Sequence, residues 1–314
     1  MTALRVAFAG TPEFARSALQ ALLGSRHPVV GVFTRPDRPR GRGQRVSASP
    51  VKEAALAADV PVLQPPTLQG GAALDVLTSW RAAVLVVVAY GLIVPQALLD
   101  APRLGSVNIH ASLLPRWRGA APIQRALLAG DATTGITLMR MEAALDAGPI
   151  LLQKSIGICA TDTSGGLHHE LATLGARILL EGLDALAADL LQPTPQPREG
   201  VSYAAKIAKS EAIIDWARSA IEIDRQIRAF NPWPMAQTRF EDDQLRILAA
   251  RIHDGAAPPA ALPGTVTAVL DDALAVQCGT GCLALTHVQR PGRRAVSARE
   301  FAGSRALLGE RLGQ

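Results

Sequence analysis

Six short apolar or β-branched runs punctuate the first part of the chain: Val6–Ala9, Val29–Thr34, Val60–Leu63, Val84–Ala89, Val107–His110 and Gly135–Met141. Alanine- and leucine-rich segments separate most of them, at Glu13–Leu23, Val51–Ala58, Leu74–Trp80 and Ile123–Ala129. Near-continuous apolar strands alternating with helices require a sheet buried on both faces, so the pattern predicts a Rossmann-like parallel sheet in an α/β domain. Thr163 to Ala188 then reads as one long amphipathic helix, with a threonine or aspartate available as its cap.

Leu191 to Gly200 carries three prolines among polar residues and reads as a semi-extended linker. Beyond it the periodicity changes. A helix from Ala220 to Phe230 meets Asn231-Pro-Trp-Pro234, which must end it. Short strand-like runs follow at Met235–Phe240, Leu245–Ile252, Thr265–Val269, Ala273–Gln277 and Leu283–Thr286. That spacing predicts a small OB-like β-barrel. The expected division is therefore residues 1–190, a linker at 191–203, and a barrel domain at 204–314.

The 314 residues are 48% hydrophobic and 19% charged, a balance that builds a core and excludes a disordered chain. The apolar stretch Ala82–Val88 is far short of the roughly 20 residues a membrane-spanning helix needs. The first ten residues read as a strand feeding a glycine turn, without the features of a signal peptide, so a cytoplasmic protein with no membrane association is expected. Cys159, Cys278 and Cys282 are too few for a disulfide framework. The last two, even with His287 nearby, lack the second ligand pair of a structural zinc site, and no metal is expected. Net charge is +5, and arginine supplies 28 of the 32 basic residues. Arg35–Arg45 and Arg290–Arg305 each hold five arginines against one acidic residue. Each stretch alone fits a solvated loop; two together point to a polyanionic partner.

The turn after the first strand, Gly10-Thr-Pro-Glu, has only the first glycine of a dinucleotide fingerprint, and no phosphate-binding Walker loop exists. In Val107-Asn-Ile-His110, strand alternation sends Asn108 and His110 to one face, at the carboxyl end where an open parallel sheet binds ligands. Their hydrogen-bonding groups suit an oxyanion forming on a carbonyl, and equally suit capping of a turn. Asp146, before Ala-Gly, is either a proton acceptor or a turn residue. Trp117, flanked by two arginines, offers a clamp for a planar or anionic ligand.

Asn108-x-His110, the following Ser-Leu-Leu-Pro-x-x-Arg-Gly, and Asp146 together resemble the folate-dependent formyltransferase family. The resemblance extends through Phe8-Ala-Gly-Thr-Pro12, Pro36-Asp-Arg-Pro39, Val86–Gly91, Arg116–Arg125 and Arg228–Met235. It implies formyl transfer from 10-formyltetrahydrofolate to an amine, with Asn108 and His110 on the oxyanion and Asp146 receiving the amine proton directly or through water. It also implies a folate pocket along Gly91, Leu92, Ile93 and Val94 and along Ser112, Leu113, Leu114 and Pro115. Leu92, Ile93 and Val94 fit plain core packing as well. The barrel and the arginine loop suit a nucleic-acid acceptor. The resemblance accordingly implies initiator methionyl-tRNA, contacted by Arg38, Arg42 and Arg45, with a monomeric enzyme expected. The rival readings are a sugar-nucleotide amine as acceptor and a non-catalytic RNA-binding protein on the same scaffold.

Overall fold

The structure, a computed structural model, describes residues 2–40, 45–255, 261–303 and 306–314. It divides into two compact units, one of Met1–Pro122, Thr133–Gly157 and His168–Ala204, the other of Ile123–Ala132, Ile158–Leu167 and Ala205–Gln314.

The first unit carries strands β1 (Val6–Gly10), β2 (Val29–Phe33), β3 (Arg38–Arg40), β4 (Arg45–Ser47), β5 (Val62–Leu63), β6 (Val84–Val88), β7 (Ser106–His110), β8 (Arg118–Gly119), β9 (Thr133–Arg140) and β10 (Ile150–Gly157). Helices α1 (Glu13–Leu23), α2 (Pro50–Ala57), α3 (Ala72–Ser79), α4 (Gln96–Asp100), α5 (Pro122–Ala129) and α6 (Ser164–Ala187) fall between or after them in the chain. Seven strands form one sheet in the order β10-β9-β7-β6-β1-β2-β5. β1 and β6 are buried along their whole length, as continuous apolar runs require. Each fully buried valine or leucine contributes about 1.5–3 kcal/mol to holding these layers.

The sheet is parallel from β7 to β5, but β9 pairs antiparallel with both β7 and β10. The sequence reading contains no strand at Ile150–Gly157. That strand sits at the sheet edge, and its Gln153, Lys154 and Ser155 are exposed, so it lacks the apolar run that marks its neighbours. α6 lies close to the sheet because it presents glycine there. A Cβ on Gly182 would stand 2.1 Å from Leu138, and one on Gly175 would stand 3.1 Å from Ile109.

β11 (Tyr203–Ala204) closes the first unit, and the rest of the chain belongs to the second. There follow helix α7 (Ala220–Ala229), strands β12 (Gln237–Phe240), β13 (Asp243–His253), β14 (Val266–Val269), β15 (Leu274–Gln277), β16 (Cys282–Gln289) and β17 (Ala295–Ser297), and helix α8 (Ala298–Ala302). The strands from β12 to β17 form one antiparallel sheet in the order β12-β13-β16-β15-β14, with β17 also on β16. It curls into a half-barrel around Trp216, Ile223, Ile227, Phe240, Leu285 and Phe301. β17 and α8 are absent from the sequence reading because each is too short to show a period. α7 begins in a reciprocal cap: the Ser219 hydroxyl accepts from Glu222 N–H, and the Glu222 carboxylate accepts from Ser219 N–H. Arg125 of α5 grips Glu211 through both carboxylate oxygens, at 2.6 and 3.1 Å, which explains its place in the Arg116–Arg125 motif structurally. Cys278 and Cys282 are buried, and both thiols lie on Val276 O. Among the described residues no helix is long and apolar enough to cross a membrane.

Candidate active site

β7 lies between β6 and β9, so its side chains are buried along the whole strand. Asn108 is 8% exposed and His110 6%. The Asn108 carboxamide makes no hydrogen bond to any described residue. Unlike the Tyr90 hydroxyl, its nitrogen and oxygen are not among the side-chain atoms sealed from solvent without a partner, so they open toward space a ligand can enter.

His110 is held on both sides. Its Nε2 lies 2.8 Å from Trp117 O, and a carbonyl only accepts, so Nε2 carries a proton. Nδ1 then faces the Asp146 carboxylate, 3.6 Å from Oδ2. Asp146 is itself fixed, because Gly119 N–H donates to Oδ2 at 2.8 Å. It adopts φ +47° at the tip of the loop after β9, so it is a turn residue and a site residue at once.

The segment after β7 is tied down by main-chain and buried polar contacts. Thr137, fully buried on β9, donates to Ser112 O at 2.7 Å and accepts from Leu114 N–H at 3.1 Å. Gln153 on β10 donates to Leu114 O and to the Thr137 hydroxyl, both at 2.9 Å. The Ser112 hydroxyl donates to Arg116 O at 2.6 Å. Ser112 and Leu114 are thus buried, while Leu113 and Pro115 are half-buried. Trp117 lies under the Arg116 guanidinium, 4.4 Å from its ring centre, and its N–H donates to the Ser202 hydroxyl. β8 pairs with β11, and Gly119 (φ +114°) comes so near Ala204 O that a Cβ would stand 2.9 Å from it. Only glycine delivers an N–H to Asp146 from there.

Residues 89–95 form the other candidate wall. Gly91 (φ +81°) turns the chain, Val94 is buried with Leu98 and Leu99, and Leu92 packs on that cluster. Ile93 is 85% exposed, and Leu145, next to Asp146, is 63% exposed. Burial pushes the Tyr90 phenol up to about 12, so it stays protonated and is no base. The Thr11 hydroxyl donates to Tyr90 O, tying the turn after β1 to this loop.

Arg38 is exposed on the β3–β4 hairpin and Arg45 opens β4; Arg42 lies outside the described residues. At the hairpin base, Lys52 donates to Asp37 at 2.6 Å and Gln64 at 2.7 Å, holding its carboxyl below the usual range. A depressed carboxyl stabilises the fold above its unfolded value, near about pH 4, and that contribution is lost as pH falls through the folded value. The stability deficit of Asp37→Asn is therefore expected at full size near neutral pH and to shrink in acid below about pH 4. A deficit unchanged across a urea-unfolding pH series would refute the ion pair.

Trp117 O, Gly119 N–H, Thr137, Gln153 and Leu145 are absent from the sequence reading of the site. Residues 4–183 match Formyl transferase, and residues 206–306 match Formyl transferase, C-terminal domain. Methionyl-tRNA formyltransferase of Methylococcus capsulatus is 52% identical over 310 residues, covering 99% of this chain and 100% of the relative. The N-formyltransferase from Helicobacter canadensis in complex with folinic acid and dTDP-3-aminofucose superposes with TM-score 0.68 at 16% identity, over 91% of this chain and 99% of that one. HypX from Aquifex aeolicus in complex with tetrahydrofolic acid superposes with TM-score 0.65 at 15% identity, over 98% of this chain and 49% of HypX. At those identities the two structures speak only to the fold. The two domain matches and the relative of the same length do more: the chain belongs to the formyl transferase family.

Proposed function

We propose that the protein transfers a formyl group from 10-formyltetrahydrofolate to the α-amino group of initiator methionyl-tRNA. The observation that carries this reading is the open Asn108 amide on the strand of His110, whose ring stands 3.6 Å from the Asp146 carboxylate. A half-identical relative named for that reaction supports it along nearly the whole chain.

The folate fits the residues present. The loops after β6 and β9 offer the exposed apolar side chains Ile93 and Leu145, and the turn at Gly91 leaves backbone groups near a ring edge. Bound there, the donor supplies an electrophilic formyl carbon. Leu92, Val94, Ser112 and Leu114 shape the pocket from beneath, and Leu113 and Pro115 line it. Asn108 donates to the formyl oxygen as negative charge develops on it, and His110, on the same strand, helps to stabilise that oxygen. Asp146 takes the proton released when the amine nitrogen bonds to the formyl carbon; the bond to the folate nitrogen then breaks. Gly119 N–H keeps the accepting oxygen in place throughout.

The catalytic domain is assigned to residues 1–190, and residues 204–314 to RNA binding. Arg38, Arg42 and Arg45 supply phosphate contacts near the acceptor end, which makes binding depend steeply on salt. The reading places the protein in the cytoplasm, with aminoacylated tRNA.

Parallel assays on initiator methionyl-tRNA, elongator methionyl-tRNA and a sugar-nucleotide amine test the acceptor. We expect kcat/KM to favour the initiator by about a hundredfold over the elongator. Turnover of the small amine alone would keep the chemistry and reject the RNA; no turnover on any acceptor would favour the non-catalytic reading.

A further inference from the structure

Asp146 has a left-handed backbone, so the direction of its carboxylate depends on what holds the loop beneath it. One distant side chain does that. Gln196 Nε2 donates to Asp146 O and to Gly148 O, both at 2.8 Å. Its Oε1 accepts from Arg118 Nε at 3.0 Å and Nη2 at 2.7 Å. Both amide protons and both lone-pair directions are thereby used, so the orientation of the amide is set by its partners.

The two arms reach the two halves of one contact. Arg118 directly precedes Gly119, whose N–H receives the Asp146 carboxylate. Gln196 therefore ties the backbone under the carboxylate to the strand that anchors it. Across residues 192–200 every other residue is exposed, and Gln196 alone is half-buried. The segment is anchored on either side as well: Thr194 and Ile150 exchange two main-chain hydrogen bonds of 2.8 Å, and Ser202 caps Trp117 N–H. A stretch that composition presents as a linker is thus built into the wall of the site.

We propose that Gln196 is a positioning residue for proton transfer, setting where the Asp146 carboxylate stands relative to His110 and the acceptor amine. The inference rests on the proposed role of Asp146. Gln196→Met keeps the length of the side chain and removes all four hydrogen bonds. Gln196→Glu keeps the acceptor for Arg118 but turns an oxygen toward the two carbonyls.

The test is single-turnover formyl transfer to initiator methionyl-tRNA by the full chain, for each variant in the wild-type and Asp146→Asn backgrounds. In the wild-type background kcat is expected to fall about 10–100-fold, with both KM values within about threefold. In the Asp146→Asn background the further loss is expected to be no more than about twofold, because the group being positioned is gone. An equal loss in both backgrounds would mark Gln196 as merely structural and overturn the proposal. So would a change confined to KM, or an unchanged kcat. Should Gln196→Met fail to fold, Gln196→Glu decides by the same criteria. Full turnover in Asp146→Asn itself would instead bring down the role of Asp146, and this inference with it. Loss there, with both Gln196 variants active, would sink the positioning role alone.

Discussion

Asp146→Asn is expected to lower kcat for formyl transfer by about a thousandfold or more, with KM for the RNA changed no more than about threefold. The substitution conserves size, and the asparagine oxygen still accepts from Gly119 N–H, so the loop has no steric reason to move. Two things disappear. The neutral amide cannot take a proton from the attacking amine, and it no longer places a negative charge opposite His110 Nδ1. General base catalysis alone is worth about 10²–10⁴ in rate. Loss of the carboxylate adds to that, because the His110 ring is then held by Trp117 O alone. With the proposed phosphate contacts at Arg38, Arg42 and Arg45 untouched, RNA affinity is expected to stay. Rapid-quench kinetics with saturating substrates separate the terms: a kcat within tenfold of wild type would remove Asp146 from the proton path.

The elements read correctly from the sequence are those with an unbroken signal. β6 is five buried apolar residues in a row, and α6 keeps its period across 24 residues. β10 was invisible because an edge strand with one exposed face needs no apolar run. The two polar side chains of β7 were legible because strand alternation alone puts Asn108 and His110 together. Asp146 was legible only as an alternative; it is a turn residue, and that φ +47° turn presents the carboxylate for the proposed role. What sequence could not show is who holds whom at long range. Gln196 stands 50 residues from Asp146, and Thr137 stands 25 from the carbonyl of Ser112. A hydrogen bond between distant side chains leaves no period behind it. The three prolines mark 191–200 as a semi-extended linker, without revealing that one glutamine in it is bound on both sides. The Ser-Leu-Leu-Pro segment likewise signals a pocket, yet Ser112 and Leu114 are buried, and the Ser112 hydroxyl is committed to Arg116 O.

Asn108→Leu should cost activity and leave stability nearly unchanged. In most buried positions a polar side chain is satisfied, and replacing it leaves some partner stranded. Asn108 strands nobody: its amide has no described partner, and its neighbours on β6 and β9 are Val87 and Met139. Leucine has nearly the same shape and adds apolar surface between them. The variant is therefore expected to be about as stable as wild type, read as an unchanged Tm. Turnover should fall. Removing one preorganised donor from a developing oxyanion costs about 10²–10³ in kcat, the loss expected here with the folate analogue still bound. The combination excludes the two simpler explanations. If Asn108 only capped a turn, Tm would fall; if it only shaped the pocket, KM for the folate would rise while kcat held. Lower kcat at undiminished Tm is the mark of a polar group kept for the oxygen of a substrate and not for the fold.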